Sequence, residues 1–368
     1  MTEFDLIVVG GGIMGCSAAL RAREGGMRVA VIERAAIGSG ASGVNAGTLS
    51  LQIKRVALMP YAIRGHHWWQ KAGDKVGFRR TGGLTLAFNE REAALLEERM
   101  RLKIAAGGPI ELVTAGFALQ REPSLTSRVI AASWCADDGY ASANRTGAYL
   151  RALLRDAGVT SLEYSPAEAI DCGDDGFLVA TPQGTFKGRR LLLATGAWTK
   201  PLAAKLGVEF PVHVRINTVS VLERGPATVG SVIGHATGLL TLKQKADGTV
   251  LIGGGWQGRG SPEEGRGEIV PATMLDNLRL ARFVVPPLAK FRLLRAWTGF
   301  EAHVPDFYPL AGALPGIRDA FVLSCVRGGY TIGPYIGRLV GDLILGKEPE
   351  MMLFDPARFA GPSTAAAV

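Results

Sequence analysis

The sequence predicts an α/β protein in which a parallel βαβ domain is interwoven with an α+β domain built mostly on antiparallel sheet. Three observations carry this expectation. Leu6-Ile7-Val8-Val9 is a continuous apolar run, as a strand buried on both faces of a parallel sheet requires. A glycine-rich turn, a helical stretch and a second apolar strand follow it within about 30 residues, the size of one βαβ unit. Residues 208–256 instead alternate apolar and polar, the pattern of an antiparallel sheet with one covered face.

Along the chain, residues 10–15 turn and residues 16–23 form a helix closed by Gly25-Gly26. Residues 28–32 are the second strand, and a Gly/Ser/Ala-rich loop spans 38–47. Asn89 caps a helix reaching Ala106, and a second helix occupies 144–156. Residues 177–187 read as a hairpin around Pro182-Gln183-Gly184, followed by a buried strand at 191–194. A late strand at 321–323 and a helix from Pro334 to Leu345 complete the pattern, and the tail after Phe359 is expected to fray. With no linker and no repeat, one domain is assigned to 1–80, 141–207 and 302–368, the other to 81–140 and 208–301.

Composition narrows the function classes. Of 368 residues 47% are hydrophobic and 20% charged, a core-forming chain. The 49 glycines have no collagen period and imply many tight turns. Mean hydropathy is +0.17, yet no apolar run reaches the ~18 residues of a membrane span. Net charge is +8, but Lys and Arg are scattered apart from Lys187-Gly188-Arg189-Arg190, and no nucleic-acid motif accompanies them. An anionic small-molecule substrate fits better than nucleic acid. Cys16, Cys135, Cys172 and Cys325 form no disulfide framework, and the N-terminus has no signal-peptide pattern, so the expected location is cytoplasmic.

Gly10-Gly11-Gly12-Ile13-Met14-Gly15 is G-x-G-x-x-G between a strand and a helix. The first glycine makes the turn, the second lets a pyrophosphate approach the backbone, and the third lets helix and strand pack closely. The helix N-terminus adds N–H groups and positive dipole. Glu33 ends the second strand, where a carboxylate holds ribose hydroxyls. Gly253-Gly254-Gly255-Trp256-Gln257-Gly258 has the same spacing, but Arg259-Gly260-Ser261-Pro262 after it cannot open a packed helix. The chain therefore has one Rossmann-like dinucleotide site, for NAD or FAD.

Further pieces settle which. Residues 7–15, Gly40-Ala41-Ser42-Gly43-Val44-Asn45-Ala46-Gly47, Ala194-Thr195-Gly196-Ala197-Trp198, residues 247–254 and Gly328-Gly329-Tyr330-Thr331-Ile332-Gly333-Pro334 occur in order across nearly the whole chain. In this series the chain resembles the FAD-dependent D-amino acid oxidase, glycine oxidase and sarcosine oxidase family. The resemblance implies that Gly10, Gly12, Ile13, Met14, Gly15, Glu33 and Arg34 hold the ADP half of non-covalent FAD. It places Ser42, Asn45, Ala46 and Gly47 along the pyrophosphate and flavin, and Ala167 against the adenine. Thr195, Gly196 and Trp198 would close over the cofactor. Gly328, Gly329, Tyr330, Thr331 and Ile332 would offer backbone N–H groups to the flavin edge that gains charge on reduction.

A flavin accepts a hydride from the carbon beside an amine, and the imine hydrolyses in water, so no metal or nucleophilic triad is required. His66, His67, His213, His235 and His303 show no metal-ligand spacing. In the amino-acid oxidases of the family an Arg after Trp-x-Gly-x clamps the substrate carboxylate, whereas here Trp297-Thr298-Gly299-Phe300 leads to Glu301. Glu301 either pairs with a structural Arg or takes a cationic substrate group, and His303 is the histidine to watch beside it. Lys54, Arg55, Lys243 and Arg327 are the alternative carboxylate anchors. Ala296 and Leu251 stand near the positions of the flavin-linking Cys and oxygen-activating Lys of monomeric sarcosine oxidase.

These departures resemble the β subunits of opine oxidase and D-hydroxyproline dehydrogenase complexes. They imply partner subunits for electron transfer, with room for an FMN at a subunit interface. The expected activity is FAD-dependent oxidation of the C–N bond of an opine, D-hydroxyproline, sarcosine or D-amino acid. An FAD-dependent 2-hydroxy acid dehydrogenase and a flavin-binding assembly subunit with an idle pocket are the alternatives.

Overall fold

A computed structural model describes residues 3–359, so the tail expected to fray lies outside the described residues. The chain forms two compact units, Met1–Gly43 with Asn144–Arg215 and Phe300–Val368, and Val44–Ala143 with Ile216–Gly299. Residues 44–80, grouped with the nucleotide-binding domain on sequence grounds, lie in the second unit. There Thr48–Leu49 and Arg79–Arg80 both pair with Gly139–Tyr140, a ladder that the short strands do not advertise. Residues 208–215, grouped with the other domain, lie in the first unit.

In the first unit, strand Glu3–Val9 lies at the centre of a parallel set. It pairs with Val29–Ile32 on one side and Gly184–Leu193 on the other, and Thr160–Leu162 and Ala320–Ser324 extend the sheet. Residues 177–187 do form a hairpin, but its second strand runs on without a break to Leu193, so the strand expected at 191–194 is its continuation. Ile7, Val9, Ala30, Ile32, Leu191, Leu193 and Val322 share one buried cluster. Leu6, Val8, Val31 and Leu192, which alternate with them, are buried too.

Helices Ile13–Glu24 and Gly329–Ile344 run side by side in the same direction. A ladder of glycines four residues apart lets them approach. A Cβ on Gly333 would lie 2.7 Å from Ile13 Cγ2, one on Gly337 2.6 Å from the Met14 carbonyl oxygen, and one on Gly341 2.6 Å from Arg21 Cβ. An ion pair of 2.6 Å from Arg21 to Asp342 fixes the far end. The second helix starts five residues before Pro334, its expected start. The proline thus lies inside the helix, in its second turn, where its nitrogen has no N–H to donate. Residues 329–332, which precede the expected start, are therefore the helix's first turn.

The second unit is built on a sheet with strand order Leu293–His303, His213–Arg224, Thr249–Gly253, Thr241–Gln244, Val232–His235, Gly83–Ala87, Ala131–Cys135, Glu111–Thr114. Residues 300–303 and 213–215 of the first two strands in this order are counted with the first unit. From His213–Arg224 to Glu111–Thr114 the pairs are antiparallel, except that Val232–His235 runs parallel to Gly83–Ala87. One face, with Leu84, Leu222, Leu242, Val250 and Ile252, packs in a core with Ala281 and Val284 of helix Pro271–Val284. The opposite face carries Val219, Val221 and Leu251, against Ala46 and Trp297. Helix Glu90–Ala105 begins where predicted, with the Asn89 side chain accepting from the Glu92 N–H. After Gly253 the chain turns through Gly254 and Gly255 into a β-bridge at Gln257, with no helix.

Candidate functional site

In the first unit the candidate site starts where strand Glu3–Val9 meets helix Ile13–Glu24. Gly10 has φ +110°, and a Cβ there would lie 2.3 Å from the Ala194 carbonyl oxygen. A Cβ on Gly15 would lie 2.1 Å from the Gly10 oxygen, so neither position admits a side chain. Gly12 is different, since a Cβ would meet only Ser42 Oγ, at 3.4 Å. That opening lies at the helix N-terminus, whose first turn holds no acidic residue. Ser42, 29 residues on, caps the helix by accepting from the Ile13 N–H at 3.0 Å. The Glu33 carboxylate accepts from the Gly11 N–H at 2.7 Å and the Ala35 N–H at 2.9 Å. These bonds fix its orientation at the edge of the cradle.

The Arg34 guanidinium stacks over the Trp198 ring, 3.5 Å from its centroid, and Trp198 packs edge-on against Phe300. Thr195 and Gly196 are tied to strand Ala320–Ser324 through hydroxyls: Thr195 Oγ1 lies 3.0 Å from Thr199 Oγ1, which donates to Ser324 Oγ at 2.6 Å. Ser324 Oγ in turn donates to the Gly196 carbonyl. Ala167 packs half-buried against the core cluster. Gly328, at φ +71°, precedes the helix that opens with Gly329, Tyr330, Thr331 and Ile332. The Tyr330 hydroxyl and Thr146 Oγ1 are 2.8 Å apart, and burial pushes the phenol up. This helix, too, has no acid in its first turn. An open cradle, two acid-free helix ends side by side and an oriented carboxylate fit a dinucleotide with a ribose hydroxyl at Glu33.

A second cluster of this unit gathers the candidates for chemistry. Glu301 Oε2 lies 3.9 Å from Arg327 Nε, a loose pair with both side chains partly exposed. His303 stacks on Phe307 at 4.6 Å and faces His213 at 5.6 Å, while Arg327 lies 5.6 Å from the Phe307 ring on its guanidinium side. Phe307 holds φ +60°, unusual for a bulky residue. Burial, with the positive charge of Arg215 and Arg327 adding to it, holds His303 below its ordinary value.

The other candidates belong to the second unit. Asn45 Oδ1 accepts from the Gly47 N–H at 2.6 Å, and Ala46 packs on the Val219, Val221 and Leu251 face. Trp297 Nε1–H donates to the Val44 carbonyl at 2.6 Å. Arg55 is half-buried ahead of the turn Val56–Leu58. Lys243 is 2% exposed, and its Nζ donates to Thr48 Oγ1 at 2.7 Å. It is the cross-strand partner of Leu251. Burial, with Lys245 adding to it, pulls the Lys243 amine down to about 7. Sequence reasoning does not single out Thr48 or Phe307, and neither carries a local signal: one matters through a partner 195 positions away, the other through its backbone.

The comparisons agree with this geometry. The chain is 28% identical to the glycine oxidase of Geobacillus kaustophilus (strain HTA426), over 97% of this chain and 96% of that protein. It is 24% identical to the B subunit of the opine oxidase of Rhizobium meliloti, over 98% of each. Among solved structures, the L-proline dehydrogenase of P. horikoshii superposes with a TM-score of 0.89 at 25% identity, covering 97% of this chain and 98% of that one. Residues 5–343 match the DAO family, FAD dependent oxidoreductase, and nearly the whole described chain lies inside that match. With the glycine cradle, the oriented Glu33 and the acid-free helix ends in place, the chain belongs to this family of FAD-dependent oxidoreductases.

Proposed function

We propose that this enzyme oxidises the C–N bond of a secondary amine acid that carries a second cationic group, an opine, as one subunit of a heteromeric dehydrogenase. The observation that carries the reading is the Glu301–Arg327 pair, an anion and a cation side by side where the resembling oxidases place one carboxylate-clamping arginine. Likeness to the B subunits of two opine oxidases supports the same choice.

FAD, held without a covalent link, supplies the acceptor for two electrons and a proton. The chain's residues bind and orient the substrate. An ion pair this loose and partly exposed is worth only ~0–1 kcal/mol, so a substrate opens it readily. A substrate carboxylate then gains charge-assisted hydrogen bonds to Arg327, each worth about 1.5–3 kcal/mol. Glu301, released, takes the substrate's ammonium or guanidinium. The Phe307 ring lies beside the Arg327 guanidinium and His303 stacks on that ring, which makes the two of them positioning residues. Held there, the carbon beside nitrogen would give up its hydride to bound FAD, and water would hydrolyse the resulting imine to an oxo acid and an amine.

Anaerobic bleaching of the flavin tests this against octopine, nopaline, D-proline, D-hydroxyproline, sarcosine, glycine and 2-hydroxyglutarate, with and without partner subunits. The expected result is bleaching by a guanidinium-bearing opine that is lost in Glu301→Gln. Bleaching by 2-hydroxyglutarate alone would overturn the C–N assignment, and no bleaching under any condition would mark an idle pocket.

A further inference from the structure

The first unit gathers more basic groups around Glu301 than one clamped carboxylate needs. Strands Leu293–His303 and His213–Arg224 are sheet neighbours, and residues 300–303 of one and 213–215 of the other belong to that unit. Side chains two apart on a strand share a face. Ala302 and Val214 pack into the buried cluster of the parallel sheet. Glu301 with His303, and His213 with Arg215, therefore take the other face. The two pairs meet there, because the His213 and His303 rings stack at 5.6 Å. Arg327 reaches the same cluster from the turn after strand Ala320–Ser324, 3.9 Å from Glu301 and beside the Phe307 ring on which His303 stacks.

Among these side chains two guanidiniums, Arg215 and Arg327, meet one carboxylate, Glu301. Asp306, the next acid along the chain, is taken: it pairs with Arg358 at 2.8 Å and accepts from the Tyr308 N–H at 2.8 Å. His303 registers the excess, since burial and then the charge of Arg215 and Arg327 hold it below its ordinary value. Arg215 is half-buried, where a charge-assisted hydrogen bond to a carboxylate is stronger than in open water. A cation from the neighbouring strand, an anion and a cation from the turn have their complement in an acid, an ammonium and a second acid.

We propose that Arg215, with His213 and His303 beside it, binds a second carboxylate of the substrate, so that the substrate class is a dicarboxylic secondary amine whose ammonium lies between its two acids. The inference rests on the amine-oxidation reading and deepens it: Arg327 takes one acid, Glu301 the ammonium and Arg215 the other acid. All of these side chains belong to the first unit.

The test uses the FAD-loaded protein and titration calorimetry with two matched ligands. Glycine betaine carries one carboxylate and bis(carboxymethyl)dimethylammonium carries two. Both bring a permanent cation for Glu301, and a quaternary nitrogen has no lone pair with which to form an imine, so binding is read without turnover. The parent should bind the diacid on the order of ten- to a hundredfold more tightly than betaine. Arg215→Met should bring the diacid down to the level of betaine and leave betaine where it was, whereas Arg327→Met should weaken both.

A parent that binds the diacid no better than betaine would overturn the proposal, and so would a preference that survives Arg215→Met. An equal loss of both ligands in Arg215→Met would overturn it too, as the mark of two guanidiniums sharing one carboxylate. Should Arg215→Met fail to fold, Arg215→Lys, which keeps the charge but not the planar fork, decides instead. A several-fold loss for the diacid alone supports the subsite, and no loss or an equal loss for both ligands overturns it. If no amine bleaches the flavin while the diacid preference depends on Arg215, the amine reading fails and the subsite stands. If an amine bleaches the flavin and the preference is absent, the reading stands and the subsite fails.

Discussion

The glycine cradle of the first unit and the sheet face of the second both concentrate positive charge, and they are built from opposite materials. The cradle uses backbone: a turn without side chains at Gly10, Gly12 and Gly15, and the N–H groups of a helix end. The sheet face uses one side chain, an ammonium sunk among valines and leucine. Backbone dipoles carry no proton to lose, so the first kind of recognition is indifferent to pH. An amine drawn down to about 7 is not. Retention of FAD at the cradle is therefore expected to stay flat from about pH 6 to 9, whereas the charge on Lys243 is lost above about 7.

The most damaging way to break the contrast is to put a side chain into the cradle. Gly15→Val sets a Cβ 2.1 Å from a backbone oxygen that cannot move aside. A loss of about 3 kcal/mol or more, with flavin absent from the purified protein, is expected. A yellow variant of parent stability would show that the third glycine is not a packing requirement.

In the second unit, Asp138→Ala strips Ser50, Leu51 and Gln52 of a shared acceptor and is expected to cost about 3 kcal/mol in urea unfolding. Burial raises the Asp138 carboxyl above its ordinary 3.8, so the folded state holds that proton longer than the unfolded chain. Its contribution to stability declines as pH rises from 3.8 through the folded value, and Asp138→Asn should lack that decline.

Lys243 works with the opposite sign. Its amine loses the proton near 7 in the folded protein and at 10.5 in the unfolded chain, so the unfolded state binds more protons between those values. Stability of the ligand-free protein should climb with pH across that window by a few kcal/mol at most. In Lys243→Met the climb should shrink, with Lys103, pulled down to about 8, supplying what is left, and melting curves at pH 7 and pH 9.5 decide it. A climb of parent size in the variant would assign it to another group.

The smallest effect is a gain. Tyr164 holds φ +55° with 71% of its surface exposed, so Tyr164→Gly removes a backbone penalty at little packing cost. Stabilisation of about 0.5–1 kcal/mol is expected by thermal melting.

The same division explains what could be read in the sequence. Elements set by neighbours along the chain were legible: the apolar run at Leu6–Val9, the glycines before helix Ile13–Glu24, Glu33 at a strand end and the Asn89 cap. Features set by distant partners were not. Residues 44–80 join the second unit through pairings with Gly139–Tyr140, and Val232–His235 runs parallel to Gly83–Ala87 although its surroundings alternate like a meander. Lys243 could be named as a cation, but its isolation depends on where every carboxylate of the unit ends up. The Glu301–Arg327 pair was visible only as a missing arginine until folding put the two side chains 3.9 Å apart.

The glycine ladder has a consequence for assembly. Because Gly333, Gly337 and Gly341 leave no room between helix Gly329–Ile344 and helix Ile13–Glu24, the two N-terminal ends cannot shift independently. On the proposed assignment one end faces the pyrophosphate and the other the flavin ring, some 320 residues apart in sequence. Loading is then a single event: a chain that has not yet synthesised its last helix has half a cradle, and the cofactor has to wait for the C-terminus.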